Sequence, residues 1–351
     1  MGEESVGMIE IDGSFGEGGG QILRTALALS ALFKRSLTLH HIRARRKNPG
    51  LGNQHLMAVN AWAEISGAKV EGNIIGSQKL TFIPQEIRPG NYQFRIGTAG
   101  SVTLLLQALL LPLGLSQKGS QLILQGGTHV PWSPPFHYLS EVLFPVLRSM
   151  GMSMEGKIHQ WGWYPKGEGV MEVEIQPSRS LKPIALLERG SLKRIRGLSA
   201  SSLLPKDVGE RQREEALRRI EKEMKMEAEI TILPDIPSKG QGSFLFLVAE
   251  SEGGQAGFSS LGRKGKRAEE VAREAVDALK DYLKAGGCVD PHLADQLIPY
   301  MAIADGSSFF TTTRITEHLL TNLWVTQHFK NLKISVTGEK GGEGKVELFN
   351  E

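Results

Sequence analysis

The chain has 351 residues, with 41 Lys and Arg against 38 Asp and Glu, a formal charge of +3 and one cysteine. That length supports a large core and about two domains, and the near balance of charge leaves any basic recognition to local clusters such as HIRARRK and GRKGKR. A lone Cys288 excludes an internal disulfide framework and a cysteine-rich zinc site and points to a reducing compartment, the cytoplasm by default.

The opening MGEESVGMIEIDG lacks the basic and apolar regions of a leader, and Val6 stands where a myristoylation signal carries Ser or Thr. No apolar run reaches the ~20 residues a bilayer crossing needs. From residue 15, FGEGGGQILRTALALSAL runs from a β-like segment through a glycine-rich turn into an apolar helix; IGTAGSVTLLLQALLLPL, from residue 96, does the same about 80 residues later. Their second halves repeat too. HLMAVNAWAEISGAKVEG from His55 and HYLSEVLFPVLRSMGMSMEG from His137 both read as amphipathic helices ending at glycine before a short strand.

A third pair follows: DPHLADQLIPYMAIADG from Asp290 and HLLTNLWVTQHFKNLKISVTG from His318, so that His318 falls at the repeat position of His55 and His137. The step to it exceeds one period by about 100 residues, which locates an inserted domain. The expected organisation is α/β: a large domain of three repeated two-helix, four-strand units over residues 1–185 plus 286–351, and a small α/β domain over 186–285. The insert reads as a strand (RIRGLSASSLL), a charged helix, three short strands and a closing helix, with one face of its sheet covered. GEKGGEGKV near the C-terminus fails as a P-loop because Glu339 and Val346 stand at defining positions; it reads as a surface turn.

GSFGEGGGQILR (residues 13–24) carries the first chemistry. A flexible turn lets backbone N–H groups converge at a helix N-terminus, where the macrodipole favours an anion such as phosphate. Glu17 beside such an anion makes electrostatic sense with a divalent cation between them; alternatively, the glycines serve only tight packing and Glu17 is solvated. Gly16, Gly18 and Gln21 break the dinucleotide-binding spacing. Arg43, Arg45, Arg46 and Lys47 precede Gln54 and His55 at a helix start, an arrangement suited to phosphate oxygens.

His318 lies among Leu319, Leu320 and Leu323, and a packed histidine is the plain alternative to a reactive one. If Thr316 caps the helix, the positive helix end keeps the ring neutral and nucleophilic. Asn322, one turn further on, is placed to fix its tautomer.

Taken in order, DGSFGEGGGQILR, IRARRKNPGLGNQHLMAV, GTAGSVTLLLQ, ADQLIPYMAIA and TEHLLTN resemble the motifs of the RNA 3′-terminal phosphate cyclases over nearly the whole chain outside the insert. The resemblance implies three repeats like those of 5-enolpyruvylshikimate-3-phosphate synthase. It also implies a reaction in which a histidine attacks the α-phosphate of ATP, AMP passes to an RNA 3′-phosphate end, and the 2′-hydroxyl closes a 2′,3′-cyclic phosphate. It assigns the nucleophile to His318 and the Mg2+ or Mn2+ ligand to Glu17. Arg24, Arg43, Arg46, Gln54 and His55 then surround the triphosphate and RNA end, and Gln107, Pro134, His292, Asp295, Gln296 and Asn322 hold the nucleotide. A homo-oligomer is compatible with the chain. Trp161, Glu168, His292 and His129 depart from the family pattern and bear on the nucleotide pocket. A cyclase-like binding protein lacks the nucleophile, and an enolpyruvyl transferase does not need it; release of AMP and pyrophosphate from ATP separates the readings.

Overall fold

The computed structural model describes residues 7–350; residues 1–6, read above for a leader or a lipidation signal, lie outside the described residues. The first repeat forms β1 (Ile9–Asp12), α1 (Gly20–Phe33), β2 (Leu37–His40), α2 (Asn53–Ser66), β3 (Lys69–Glu71) and β4 (Leu80–Ile83). The second forms β5 (Asn91–Arg95), α3 (Val102–Gly114), β6 (Ser120–Gly126), a helix that starts as α4 (Phe136–Tyr138), passes through a π-helical turn (Leu139–Leu143) and ends as α5 (Phe144–Ser149), then β7 (Ser153–Gln160) and β8 (Gly169–Gln176).

The third repeat opens with β9 (Ala185–Leu186), and its crossover is interrupted by β10 (Leu192–Ser202), α6 (Asp207–Arg219), β11 (Ala228–Leu233), β12 (Gly242–Ser251), β13 (Gly254–Leu261) and α7 (Ala268–Lys284). It resumes with α8 (Pro291–Ile303), β14 (Ser308–Thr312), α9 (Glu317–Gln327), β15 (Lys333–Gly338) and β16 (Gly344–Phe349). Leu186, which the expected boundary placed in the insert, pairs with Phe310 of β14, so the third sheet takes its first strand from Ala185–Leu186 and the insert begins after it.

The three repeats share one topology, with strand orders β1-β2-β4-β3, β5-β6-β8-β7 and β9-β14-β16-β15. In each, the first two strands are parallel and the last two antiparallel, in registers such as Ile9↔Leu37 and Asn91↔Gln121. The parallel pair demands a crossover helix, and alternate burial along β6 shows one sheet face covered by it. The helices α1 and α3 are apolar nearly all round and buried along their lengths, the pattern of a helix enclosed on all sides.

The insert's sheet, β11-β10-β12-β13, is covered on both faces, not one. Leu245, Leu247 and Ala249 of β12 join a core with Val271, Ala275 and Leu279 of α7, whereas the alternating Phe244, Phe246 and Val248 join the large domain's core. A strand buried on both sides loses its alternation and reads as a continuous apolar run. Residues 339–342 form the turn between β15 and β16, as their failure to match a P-loop suggested.

Candidate active site

Three helices bring their N-termini together. The helices α1 and α2 are capped by Gly19 and Gly52, which supply no side-chain hydrogen bond, so their first N–H groups are left to an external acceptor. The helix α9 is capped by Thr316, whose side chain accepts from the Leu319 N–H at 3.1 Å. Gly18 sits at φ +58°, and a Cβ at Gly20 would fall 2.1 Å from His55 Nε2. The glycines thus allow the turn to reverse and α1 to approach α2 closely.

Around this junction Arg46 pairs with Glu17, Arg45 Nη1 donates to the Gly16 carbonyl at 2.6 Å, and Arg43 Nη1 donates to the Gly50 carbonyl at 2.7 Å. Burial pulls Arg24 down to about 10, still charged at neutral pH, against a raising effect of Asp295. Burial, then Arg24, Arg43 and Arg46, push His55 down to about 3. A ring held neutral at pH 7 therefore stands among guanidinium groups, and its Nδ1 is buried without a partner. The cluster concentrates positive charge in a way that suits an anion.

His318 lies in the first turn of α9, half-exposed. Its Nδ1 is 2.8 Å from Gln21 Oε1 and 2.8 Å from Glu17 Oε2, while Gln21 Nε2 donates to Asp295 Oδ2 at 2.7 Å. These bonds assign the tautomer: with its amide nitrogen committed to Asp295, Gln21 presents a carbonyl to His318, so Nδ1 carries the proton and Nε2 keeps its lone pair. Burial lowers the His318 pKa, opposed by Asp295 and reinforced by Arg24 and Arg46, so the ring is neutral at pH 7. Burial raises Asp295 to about 6 although His318, His292 and Arg24 favour its anion.

Asn322 was expected to fix the His318 tautomer and does not. Its Oδ1 accepts from Thr25 Oγ1 at 2.8 Å and its Nδ2 donates to the Asp295 backbone carbonyl at 2.7 Å, which ties α1, α8 and α9 together. Gln21 takes the orienting position, and sequence reasoning missed it because its partners are 297 and 274 residues away. A glutamine in the first turn of the glycine-rich helix was the available signal.

Behind Asp295 lie the other residues assigned to nucleotide. Gln107 of α3 donates to Gln296 of α8, and Gln296 Nε2 donates to the His292 carbonyl at 2.7 Å. Thr103 Oγ1 donates to the Pro134 carbonyl at 2.6 Å, and the His292 ring meets Tyr138 edge-on at 6.3 Å. Gln54, at the start of α2, accepts from the Ser101 N–H at 2.8 Å and so joins the first two repeats. His318 is thus linked through Gln21 and Asp295 to the α8 residues.

The repeat position shared by His55, His137 and His318 is real, with different outcomes. His137 is turned away from the site: its Nδ1 is 2.9 Å from His129 Nε2, and Trp161 stacks on His129 at 4.0 Å. His129 and Trp161 therefore belong to the joint between the second repeat and the insert. Glu168 pairs with Lys239 of the insert at 3.1 Å.

A sequence model of the family described as RNA 3′-terminal phosphate cyclase matches residues 15–336. Among individual relatives, the RNA 3′-terminal phosphate cyclase of Methanopyrus kandleri is 43% identical over 349 residues, covering 98% of this chain and 99% of its own. That of Staphylothermus marinus is 43% identical over 348 residues, covering 97% and 98%, and that of Methylococcus capsulatus is 41% identical over 349 residues, covering 97% and 96%. Among solved structures, an EPSP synthase from Acinetobacter baumannii aligns with a TM-score of 0.30 and 13% identity, covering 97% of this chain and 64% of that one; the enolpyruvyl transferase NikO from Streptomyces tendae aligns with a TM-score of 0.28 and 9% identity, covering 97% and 65%. This chain spans less than two thirds of either structure's length.

Proposed function

Because this chain belongs to the RNA 3′-terminal phosphate cyclase family, we propose that it converts an RNA 3′-phosphate end to a 2′,3′-cyclic phosphate at the expense of ATP, through an adenylylated His318. The observation that carries the reading is the double hold on His318 Nδ1 by Gln21 and Glu17, which leaves Nε2 unprotonated at the positive end of α9 beside an anion pocket.

In the first step His318 Nε2 forms a bond to the α-phosphorus of ATP as the bond to pyrophosphate breaks. The ring gains positive charge that Glu17, and Asp295 through Gln21, are placed to offset. An oxygen of the RNA 3′-phosphate then takes the α-phosphorus from Nε2, freeing neutral His318 and leaving RNA joined to AMP by a pyrophosphate link. Finally the 2′-hydroxyl attacks the 3′-phosphorus, loses its proton and releases AMP. Arg24, Arg43 and Arg46, with the free N–H groups of α1 and α2, bind the phosphates and hold them in line. Gln54 and His55 border the RNA end, with His55 neutral and able to offer a lone pair or an N–H. Gln107, Pro134, His292, Asp295, Gln296 and Asn322 form the nucleotide side, Asn322 by bracing Asp295.

Glu17 would hold a Mg2+ or Mn2+ ion, the hard-cation chemistry that an oxygen donor suits; among the described residues no group of three or more metal-ligating side chains forms a dedicated cage. Such an ion supplies charge neutralisation for the triphosphate. No helix among the described residues is long and apolar enough to cross a membrane, and the cytoplasm is the compartment proposed from the single cysteine.

Incubation with α-labelled ATP and magnesium tests the reading. The expected result is an acid-labile, hydroxylamine-resistant label on the protein, absent from His318→Ala, and cyclic ends on added 3′-phosphate RNA. A folded protein that takes no label, even with manganese and with pyrophosphate removed, overturns it.

A further inference from the structure

Beyond the end-binding pocket, a second basic surface continues from it. Gln54, at the pocket's edge, bonds the Ser101 N–H, and a Cβ at Gly100 would fall 3.1 Å from Gln54 Cβ. The neighbouring Thr98 and Ala99 abut the turn after Trp163: a Cβ at Gly167 would lie 2.7 Å from Ala99 Cα. That turn is in turn fastened to the insert. The Trp161 N–H donates to the Pro237 carbonyl at 2.8 Å, Trp163 Nε1 donates to Ser202 Oγ at 2.7 Å, and Lys166 Nζ donates to the Lys239 carbonyl at 3.0 Å.

The topology of the insert concentrates its charge at this junction. Its strands pair Ser202 with Gly242 and Phe244 with Leu261, so the loop carrying Lys239 and the GRKGKR turn leave the same end of the sheet. Arg95, Lys166, Lys239, Arg263 and Lys264 are all exposed there, with Tyr164 67% exposed among them; the acidic groups on the same turns are Asp235 and Glu168, the latter paired with Lys239 at 3.1 Å. Lys266 is not part of this surface. Its side chain is buried, pairs with Glu274, and donates to Ser260 Oγ at 2.9 Å and the Leu261 carbonyl at 3.0 Å.

We propose that the Tyr164–Gly167 turn and the Lys239 and Arg263–Lys264 turns of the insert form a track for the single-stranded body of the RNA whose 3′ end occupies the Arg24–His55 pocket. The proposal rests on the function proposed above. An end-processing enzyme must let the strand leave its pocket, and the Gln54–Ala99–Gly167 path is lined by cations that suit a phosphate backbone and an exposed ring that suits a base, without sequence readout. It gives the insert a task that the nucleophile and nucleotide residues do not require.

The test is the quadruple variant Lys166→Gln, Lys239→Gln, Arg263→Gln, Lys264→Gln in the full chain. Binding of a 3′-phosphate oligoribonucleotide of about 20 nucleotides is measured against salt, beside a trinucleotide 3′-phosphate and self-adenylylation with ATP alone. Four cations lost from a single-strand site lower the slope of log K against log[salt] by about 2 to 3. The long oligomer should therefore lose affinity at low salt while trinucleotide binding and adenylylation keep their wild-type values, the latter also certifying the fold. Charge-preserving Lys→Arg exchanges at Lys166, Lys239 and Lys264 should restore the slope. An unchanged slope, or equal losses for the long and short RNAs, overturns the track. If the wild type binds the long RNA with the charge-dependent slope but does not cyclise it, the track stands and the proposed reaction falls.

Discussion

Replacing Gln21 by Met keeps the side chain's length while removing both of its hydrogen bonds, one to His318 Nδ1 at 2.8 Å and one to Asp295 at 2.7 Å. Glu17 still reaches Nδ1, so the ring remains in place but loses the amide that accepts its hydrogen bond and links it to Asp295. A neutral hydrogen bond contributes about 1 kcal/mol and one to a charged group about 1.5–3 kcal/mol. The imidazolium forming in the first step is stabilised through both links, so roughly 2–3 kcal/mol of transition-state stabilisation disappears, equivalent to about a 30- to 150-fold slower step. The assay is single-turnover labelling with α-labelled ATP at saturating nucleotide, where the loss should appear in the rate constant with the ATP concentration dependence little changed. Gln21→Glu sharpens the test: its carboxylate can accept from Nδ1 but can bond Asp295 only when one of the two is protonated. Burial already raises Asp295 to about 6, and a second carboxylate beside it raises the pair's first protonation further, so this variant should recover activity as the pH is lowered towards that range, and the methionine variant should not. A wild-type labelling rate in Gln21→Met would refute the assignment of the relay.

Two further outcomes follow from the same geometry. Glu17→Ala should raise the Mg2+ concentration for half-maximal adenylylation by about 10- to 100-fold, the scale on which metal-site partners act; a slower rate with an unchanged Mg2+ curve would leave Glu17 as a partner of His318 only. Burial depresses His137 to about 4 and, with the nearby arginines, His55 to about 3, so the unfolded chain protonates first as the pH falls below about 6.5. Their stabilisation is complete above that pH and is lost towards the folded values, at about 1.4 kcal/mol per pH unit for each ring. His137→Gln should therefore flatten the decline in urea-unfolding stability between pH 6.5 and 5 by about 2 kcal/mol, and a parallel decline in both proteins would contradict it.

The repeats were legible because each imposes the same burial pattern twice: an apolar crossover helix after a glycine turn, then a helix ending at glycine. The third copy differs because its crossover is occupied by the insert, so β9 and α8 are separated by another sheet. The covered outer face of that sheet was not legible, since Phe244 and Leu245 look alike in sequence although they face opposite cores. Glu17, Arg46 and His318, which the structure brings together, were singled out through residue type and helix position. Gln21 and the true role of Asn322 were not, because a neutral amide gains its meaning from partners supplied by other helices. Lys266 illustrates the converse: a basic run on paper contains one residue that the fold has turned inward.

The relay also fixes when the protein can act during its own synthesis. Gln21 meets His318 across 297 residues and Asp295 across 274, and Thr25 meets Asn322 across 297, so α1 must wait for the last tenth of the chain before the nucleophile has an oriented ring. A growing polypeptide that has made only its first two repeats carries Arg24, Arg43, Arg46 and the glycine-capped starts of α1 and α2, but not His318. In the proposed reaction, competence for covalent chemistry therefore comes only with completion of the third repeat, because a chain cut short before α9 lacks His318.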